Sequence, residues 1–294
     1  MVGVHAPPGV RFAQTVDDEC QPSDDANHAA APVTWPSGAR CAVAFTFDFD
    51  AEEVWLAGDP DAASKPGLLS MGAYGANVAV PEILRLLDRR GLPATFFVPG
   101  RVAEMHADRV RDIVAAGHEV GAHGYTHRSP TALSRAEEED ELVKTTGILE
   151  GFGTAVRGYR SPAWEFSVNT LELLAAHGIG YSSNLMDRLH PYRHPNGVVE
   201  LPVQWLLDDA AHFWFSPEDW VKKISAPSEV REIWEEELLG IRDLGGLCVL
   251  TMHPQVIGRP SRLRFLDSFM AMVQELDGVW VAGCSDIADT VTGL

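Results

Sequence analysis

The sequence predicts an α/β barrel of parallel strands that forms a single domain. Short apolar runs typical of buried strands alternate with segments of helical periodicity from Cys41 onward. This alternation extends over about seven or eight units, which favours a closed barrel over an open sheet. The sequence has no glycine-rich phosphate-binding motif of either common type after its first strand, so nucleotide binding is not predicted. A chain of 294 residues is within the size range of one such barrel.

The predicted elements follow in a regular order. Residues 1–38 are rich in Pro, Ala, Asp and Gly and are predicted to form an extended arm, with the barrel in residues 39–294. Ser134 with Glu137 predicts a capping box, and glycines are expected to end several helices. The predicted strands are CAVAFTF, ATFFVPG, HEVGAHG, VRGYRSP, YSSN, VVELPV, LCVLTMHP and VWVAGC. The predicted helices lie in NVAVPEILRLLDRRG, VAEMHADRVRDIVAAG, SRAEEEDELVKTTGILEGFG, SVNTLELLAAHG, SEVREIWEEELLGIRDLGG and SRLRFLDSFMAMVQELDG.

Composition restricts the classes of partner. The chain has 42 acidic and 23 basic residues, a formal net charge of −19, which argues against nucleic acid and anionic membranes as partners. An acidic surface that keeps the protein soluble is a simpler interpretation than steering of a cationic substrate. The four cysteines form no CxxC pair, so a cysteine-based zinc site is not expected. We find neither a signal-peptide pattern nor an apolar stretch of about 18 residues, and we expect a cytoplasmic location.

Polar residues at the strand ends are the candidates for chemistry, because active sites of α/β barrels lie at the carboxyl ends of the strands. The first strand ends in TFDFD, where Asp48 and Asp50 share one face. Two such carboxylates repel each other unless a cation lies between them or one is protonated. They indicate a metal ligand with a neighbouring general base, or else two solvated loop acids.

The third strand runs into HGYTH, in which His123 and His127 are four residues apart. On one face of a helical turn, this spacing is typical of two imidazole ligands of a metal ion. Its position at a strand end favours metal binding over a chance match.

Two further strand ends contribute Arg160 and His253. The planar guanidinium of Arg160 could hold Asp48 as a carboxylate, although a surface salt bridge is the simpler interpretation of an isolated arginine. A neutral imidazole at His253 could donate a proton to a leaving amine. A lone histidine after a strand is more often structural, but here four strand ends converge on one chemistry.

Aromatic side chains are candidates for the walls of a substrate pocket, since sugar rings and flat heterocycles both stack on them. A cluster in the core or at an interface explains them equally well. They are Trp164 in SPAWEF, and Trp205 and Trp214, which flank Asp208 and Asp209 in LPVQWLLDDAAHFWF.

The set TFDFD, HGYTH, RGYRSP and LTMHP, in this order, resembles the polysaccharide deacetylases of the NodB-homology type, carbohydrate esterase family 4, over roughly residues 38–290. The resemblance implies a distorted (β/α)7 barrel and zinc-assisted hydrolysis of an N-acetyl group. It implies that Asp50, His123 and His127 bind one divalent metal ion, that Asp48 is the base held by Arg160, and that His253 is the general acid. A backbone N–H near Arg160 or Tyr159 would stabilise the oxyanion. Expected substrate-binding residues are Tyr159, Ser161, Pro162, Trp164, Trp205, Asp208, Asp209 and Trp214.

The chain departs from the common family form, in which two adjacent aspartates precede a glycine, because Phe49 separates the aspartates and Ala51 follows them. This spacing, with AEEVWLAGDP and TMHPQVIGRPSRL, is similar to a subgroup of peptidoglycan-deacetylase-like proteins, cyclic imidases and metal-free allantoinases. The similarity implies a homo-oligomer, a dimer or tetramer. All three presumed ligands are present, so metal is expected. Three functions remain open: deacetylation of an N-acetylated sugar or polysaccharide, hydrolysis of a cyclic imide or ureide, and carbohydrate binding by a pseudoenzyme.

Overall fold

A single curled sheet of parallel strands organises the protein. The computed structural model describes residues 33–215 and 223–291. Within these ranges the sheet has nine strands in the order β6-β7-β5-β4-β3-β2-β1-β8, and β9 also pairs with β1. Every pairing is parallel except that of β6 with β7. The strands are β1 Cys41–Asp48, β2 Thr95–Val98, β3 Glu119–Ala122, β4 Gly158–Tyr159, β5 Tyr181–Ser182, β6 Tyr192–Arg193, β7 Val199–Glu200, β8 Leu247–Met252 and β9 Val279–Val281.

Helices connect the parallel strands, as the predicted barrel requires. They are α1 Glu53–Leu56, α2 Pro66–Tyr74, α3 Val80–Arg90, α4 Gly100–Met105, α5 Ala107–Ala115, α6 Arg135–Glu150, α7 Thr170–Ala176, α8 Asp209–Phe213, α9 Pro227–Leu244, α10 Pro254–Ile257, α11 Pro260–Glu275 and α12 Cys284–Val291. A π-helical turn, Gly75–Ala79, joins α2 to α3. The expected α/β barrel class is confirmed.

Several elements differ from the prediction in extent. The capping box at Ser134 and Glu137 is present at the start of α6. The predicted helix over VAEMHADRVRDIVAAG is interrupted at His106, which lies outside helical geometry between α4 and α5. Sequence periodicity did not indicate α1, α2, α8, α10, α12 or β6. These are short or amphipathically weak segments, and the contacts of the folded chain determine them more than local pattern does.

β1 lies at the centre of the core. All of its residues are buried because it pairs with β2 and β9 as well as β8. A parallel strand covered on both faces is expected to be a nearly continuous apolar run, which explains why CAVAFTF has no polar alternation. Phe47 stacks on Phe96 with 4.9 Å between ring centroids.

The described chain begins inside the predicted arm. Trp35 is buried, donates from Nε1 to the Gly245 carbonyl at 2.8 Å, and lies 6.3 Å from the ring of Trp280. Residues 1–32 of the predicted arm, with Cys20, lie outside the described residues. Cys41, Cys248 and Cys284 are buried and unpaired. Among the described residues, we find no helix that combines the length and the apolar character needed to span a bilayer.

Candidate active site

The end of β1 brings two carboxylates to the rim of the barrel. Asp48 and Asp50 are both buried and face the ring of His123. The Nε2 atom of His123 lies 3.4 Å from Asp50 Oδ1 and 4.0 Å from Asp48 Oδ2. Phe49, between them, is buried in the core on the other side of the strand. The alternation of side chains along an extended segment thus places both acids in one site, as predicted.

The HGYTH segment positions two histidines, but not on the helical turn that its spacing predicted. Gly124 and His127 have φ values of 69° and 55°, so the segment is a loop with two left-handed residues. Glu141 of α6 anchors this loop by accepting hydrogen bonds from the backbone N–H groups of Tyr125 and Thr126 at 3.0 and 3.2 Å. The helical interpretation is therefore wrong, although the loop still brings the two imidazole rings together, with 5.0 Å between their centroids.

Asp50, His123 and His127 form a cluster with the donor atoms of a metal site. One donor atom from each residue lies within 4.8 Å of the others, and His127 Nε2 is 3.5 Å from Asp50 Oδ1. The Nδ1–H of His123 donates to the Arg160 carbonyl at 2.7 Å, which turns Nε2 toward Asp50. Such a hydrogen bond to the second ring nitrogen is usual for a histidine that binds metal.

The carboxylate of Asp50 lacks the partners that a buried charge needs. Neither of its oxygens accepts a hydrogen bond from any residue in the described ranges. Burial raises the pKa of Asp50 to about 8. Since buried polar atoms are almost always satisfied, this orphaned carboxylate between two imidazoles fits a bound cation. Burial also lowers the pKa of His123 and His127, which favours the neutral form that a metal ligand needs.

Arg160 holds Asp48 as the sequence predicted. Its Nη1 donates to Asp48 Oδ1 at 2.8 Å and to Thr46 Oγ1 at 2.7 Å. Burial alone would raise the pKa of Asp48. The positive charge of Arg160 and the neighbouring imidazoles lower it by more, so the pKa of Asp48 is below its ordinary value. The backbone N–H of Arg160 donates to the Ala122 carbonyl at 2.9 Å, so this N–H is not available to an oxyanion. The Arg160 N–H is therefore excluded as the oxyanion donor, and a donor near Tyr159 stays a prediction.

Asp209 orients His253 on the opposite side of the rim. It accepts from His253 Nδ1 at 2.7 Å and from the His253 backbone N–H at 3.0 Å. The other ring nitrogen of His253, Nε2, lies 3.8 Å from Asp50 Oδ2. Burial lowers the pKa of His253, but Asp209 and its acidic neighbours raise it well above the ordinary value. The raised pKa favours the imidazolium form of the ring, whereas a neutral imidazole was expected from the sequence.

Asp208 helps to bring Asp209 to this position. It forms a parallel bridge with Thr251 of β8 and caps α8 by accepting from the Ala210 N–H at 2.6 Å. Asp208, Asp209 and His253 form a second cluster of possible metal ligands. Here, however, Asp209 is bound to His253 and Asp208 to the helix cap. The partnerless carboxylate of Asp50 makes the first cluster the better cation site.

Three residues expected to bind substrate have internal roles. Tyr159 lines an internal cavity of about 10 Å³, too small for a substrate ring. Ser161 donates its N–H to Asn184 Oδ1 at 2.7 Å and its hydroxyl to the Glu165 carbonyl. Pro162 Cγ lies 3.9 Å from where a β-carbon on Gly124 would be, so it packs against the HGYTH loop. These placements favour positioning of the loop over substrate contact.

The predicted aromatic residues form two separate pairs. Trp164, with a φ of 60°, packs against Trp205 at 4.5 Å between centroids, and Trp205 is 51% exposed. Trp214 stacks on Trp55 at 5.3 Å. Trp55 and the buried Gln255 were not predicted from the sequence. A signal for each was present, since Trp55 lies in AEEVWLAGDP after the first strand end and Gln255 follows His253 by two residues.

Known proteins resemble this chain in sequence and in fold. The family model described as "Polysaccharide deacetylase" matches residues 69–182. A peptidoglycan deacetylase from Helicobacter pylori is 32% identical over 84% of this chain and 94% of its own length. A crystal structure described as a polysaccharide deacetylase from Mycobacterium smegmatis has a TM-score of 0.87 at 45% identity, covering 90% of this chain and 94% of the other. An allantoinase shares the fold, with a TM-score of 0.79 at 24% identity over 92% of this chain and 97% of the other.

Proposed function

This chain belongs to the polysaccharide deacetylase family, and from that premise we propose that it is a metal-dependent hydrolase that removes acetyl groups from N-acetylated amino sugars of a glycan. The peptidoglycan deacetylase of H. pylori aligns with nearly its whole length, which favours peptidoglycan or its fragments as the substrate. One observation carries the proposal. Asp50 is buried, has no hydrogen-bond partner in the described chain, clusters with the imidazoles of His123 and His127, and lies 3.8 Å from His253 Nε2.

Asp50, His123 and His127 would hold the metal ion. One carboxylate and two neutral imidazoles are a usual set of zinc ligands for a site that keeps a coordination position open for chemistry. A bound divalent ion would polarise the amide carbonyl and make water easier to deprotonate at neutral pH.

Asp48 would accept the proton of the attacking water. Arg160 keeps this carboxylate ionised and fixes its direction, so that Oδ2 faces the triad while Oδ1 is held. A base held in this way needs no rearrangement before it accepts a proton.

His253 would return a proton to the leaving nitrogen. Its Nε2 faces Asp50, while Asp209 binds Nδ1 and stabilises the positive charge of the ring. An imidazolium can donate its Nε2 proton, and an amine leaves far more easily once it is protonated.

The first experiment compares metal content and turnover in the wild type and His127→Ala. We expect about one divalent ion per wild-type chain, release of acetate from an N-acetylated glycan, and loss of both in the variant. His177→Ala is the matched control, because His177 contacts Glu139 at the end of α7 and lies outside the cluster. Full metal content in His127→Ala would reject the ligand set, and a metal-loaded wild type that releases no acetate would reject the deacetylase activity.

Hydrolysis of a cyclic imide or ureide is a second candidate. The amide of Gln255 is buried and has no partner among the described residues, and it offers a donor beside an acceptor, which complements an imide as well as an acetamide. The fold shared with an allantoinase is compatible with this activity. Ring opening of succinimide or hydantoin in the same assay, without acetate release from glycans, would favour it.

A further inference from the structure

A cavity beside the candidate active site has no role in the chemistry above. Its volume is about 310 Å³, within the range of pockets that take small organic groups. Two helices of the active site form part of its wall. The helix α8, which begins at Asp209, contributes Phe213, and α10, which follows His253, contributes Gln255 and Val256. Trp55 and Trp214 give it an aromatic side. The cavity is therefore built on elements that also hold Asp209 and His253.

Gln255 links the cavity to the metal triad. It lines the cavity, and its side-chain amide lies close enough to Asp50 to lower the pKa of that carboxylate. The side chain is 4% exposed, and neither Nε2 nor Oε1 has a hydrogen-bond partner in the ranges that the structure describes. A buried amide without partners costs stability unless another group satisfies it, so a ligand in the cavity would complete its hydrogen bonds.

Two arginines give the cavity a positive charge. Arg259 and Arg262 line it, and within residues 33–215 and 223–291 no carboxylate lies at salt-bridge distance from either. Arg259 stacks over the ring of Tyr74 at 3.8 Å. Arg262 donates to the Val256 carbonyl at 2.8 Å and lies 4.5 Å over the ring of Phe213.

Such a pair is unexpected in a chain with 42 acidic and only 23 basic residues. Asp209 raises the pKa of Arg262, but the carboxylate of Asp209 is already bound to His253. Two guanidinium groups that repel each other in a partly buried cavity are a suitable binding site for an anion, because the planar fork of arginine matches a carboxylate.

We propose that this cavity binds a carboxylate of the substrate through Arg259 and Arg262, so that the enzyme prefers an acidic glycan unit to a neutral one. The inference rests on the proposed deacetylase activity and specifies its substrate. In peptidoglycan units whose peptide stem has been removed, the lactyl carboxylate is free on the N-acetylated muramic acid, whereas a chitooligosaccharide has no carboxylate. The aromatic wall would contact the sugar ring while the arginines hold the acid.

The test compares two substrates that differ at one group: a peptidoglycan disaccharide with its free carboxylate, and the same disaccharide with that group converted to an uncharged methylamide. For the wild type we expect kcat/KM to be about tenfold or more higher with the free carboxylate, the effect of a charged hydrogen bond. Arg259→Gln should abolish the preference mainly through KM, and Arg259→Lys should retain part of it.

Arg264→Gln is the matched control because it removes the same charge. Arg264 is exposed on α11, which begins directly after Arg259, and does not line the cavity. Equal preference in the wild type and Arg259→Gln, or no preference in the wild type, would overturn the inference.

Calorimetric titration of both disaccharides separates this inference from the proposed activity. Arg259-dependent binding of the carboxylate form without acetate release would support the anion site and reject the deacetylase. Turnover of both disaccharides with equal affinity would support the deacetylase and reject the anion site.

Discussion

Arg160 Nη1 lies 2.8 Å from Asp48 Oδ1, and both side chains are buried. The rest of the guanidinium is also engaged, because Nη2 donates to Ser183 Oγ at 2.9 Å and the group lies 4.2 Å over the ring of Phe97. Arg160 is therefore fixed from several sides, and the direction of Asp48 is fixed with it.

Replacing Arg160 with Met should destabilise the protein, because Asp48 would remain as a buried charge without its partner. We expect a loss of about 3–5 kcal/mol in the free energy of unfolding, measured by urea denaturation of the metal-free protein. The double variant Arg160→Met with Asp48→Leu should regain part of this loss. An unchanged urea midpoint in the single variant would show that the pair contributes nothing.

Asp48→Asn should separate catalysis from metal binding. The amide keeps the shape of the side chain but cannot accept a proton from water, so we expect kcat to fall about 100-fold or more. Metal content should stay at the wild-type level, since Asp48 is not one of the three clustered ligands. Asp243→Asn, on the exposed end of α9, serves as the control. Wild-type turnover by Asp48→Asn would rule out Asp48 as the base.

Asp209→Asn should impair only the reactions whose leaving group needs a proton. Asparagine cannot stabilise the positive charge of His253, so we expect the rate of amide hydrolysis to fall about 100-fold. An activated aryl acetate, whose phenolate leaves without protonation, should be hydrolysed at close to the wild-type rate. If both substrates slow equally, Asp209 acts on the structure of the rim and not through the acid.

Gly72→Ala should disturb the metal site from a distance. A β-carbon on Gly72 would lie 2.5 Å from the backbone of Ala51, the residue after Asp50. We expect a loss of about 1–3 kcal/mol in stability and weaker metal binding, measured by urea denaturation and metal titration. Gly67, on the same helix, has nothing within 4 Å of its β-carbon position. Gly67→Ala should therefore be neutral or stabilising by about 0.5 kcal/mol and bind metal normally.

The sequence was sufficient to predict the barrel and the residues at four strand ends, because both depend on local periodicity. In β1, the alternation that buries Phe47 and Phe49 also determines where Asp48 and Asp50 lie. The parallel order of the strands then brings distant strand ends to one rim.

The contacts made only by folding were not predictable from local pattern. The hydrogen bond from His253 to Asp209 joins residues 44 positions apart and depends on the bridge between Asp208 and Thr251. The left-handed φ of His127 depends on the anchoring of its loop by Glu141, which no spacing rule indicates. The stacking of Trp214 on Trp55, and not on Trp205, likewise depends on how α1 and α8 meet.

The alternation in TFDFD has a consequence for how this protein can evolve. Insertion or deletion of one residue before Asp48 would turn two phenylalanines to the rim and two acids into the core, since side chains alternate along an extended segment. The same short stretch thus supplies both the candidate catalytic acids and part of the apolar interior, and a shift of one residue there would destroy both at once. Lineages of this protein can accept insertions in the segments between strands far more readily than within this one.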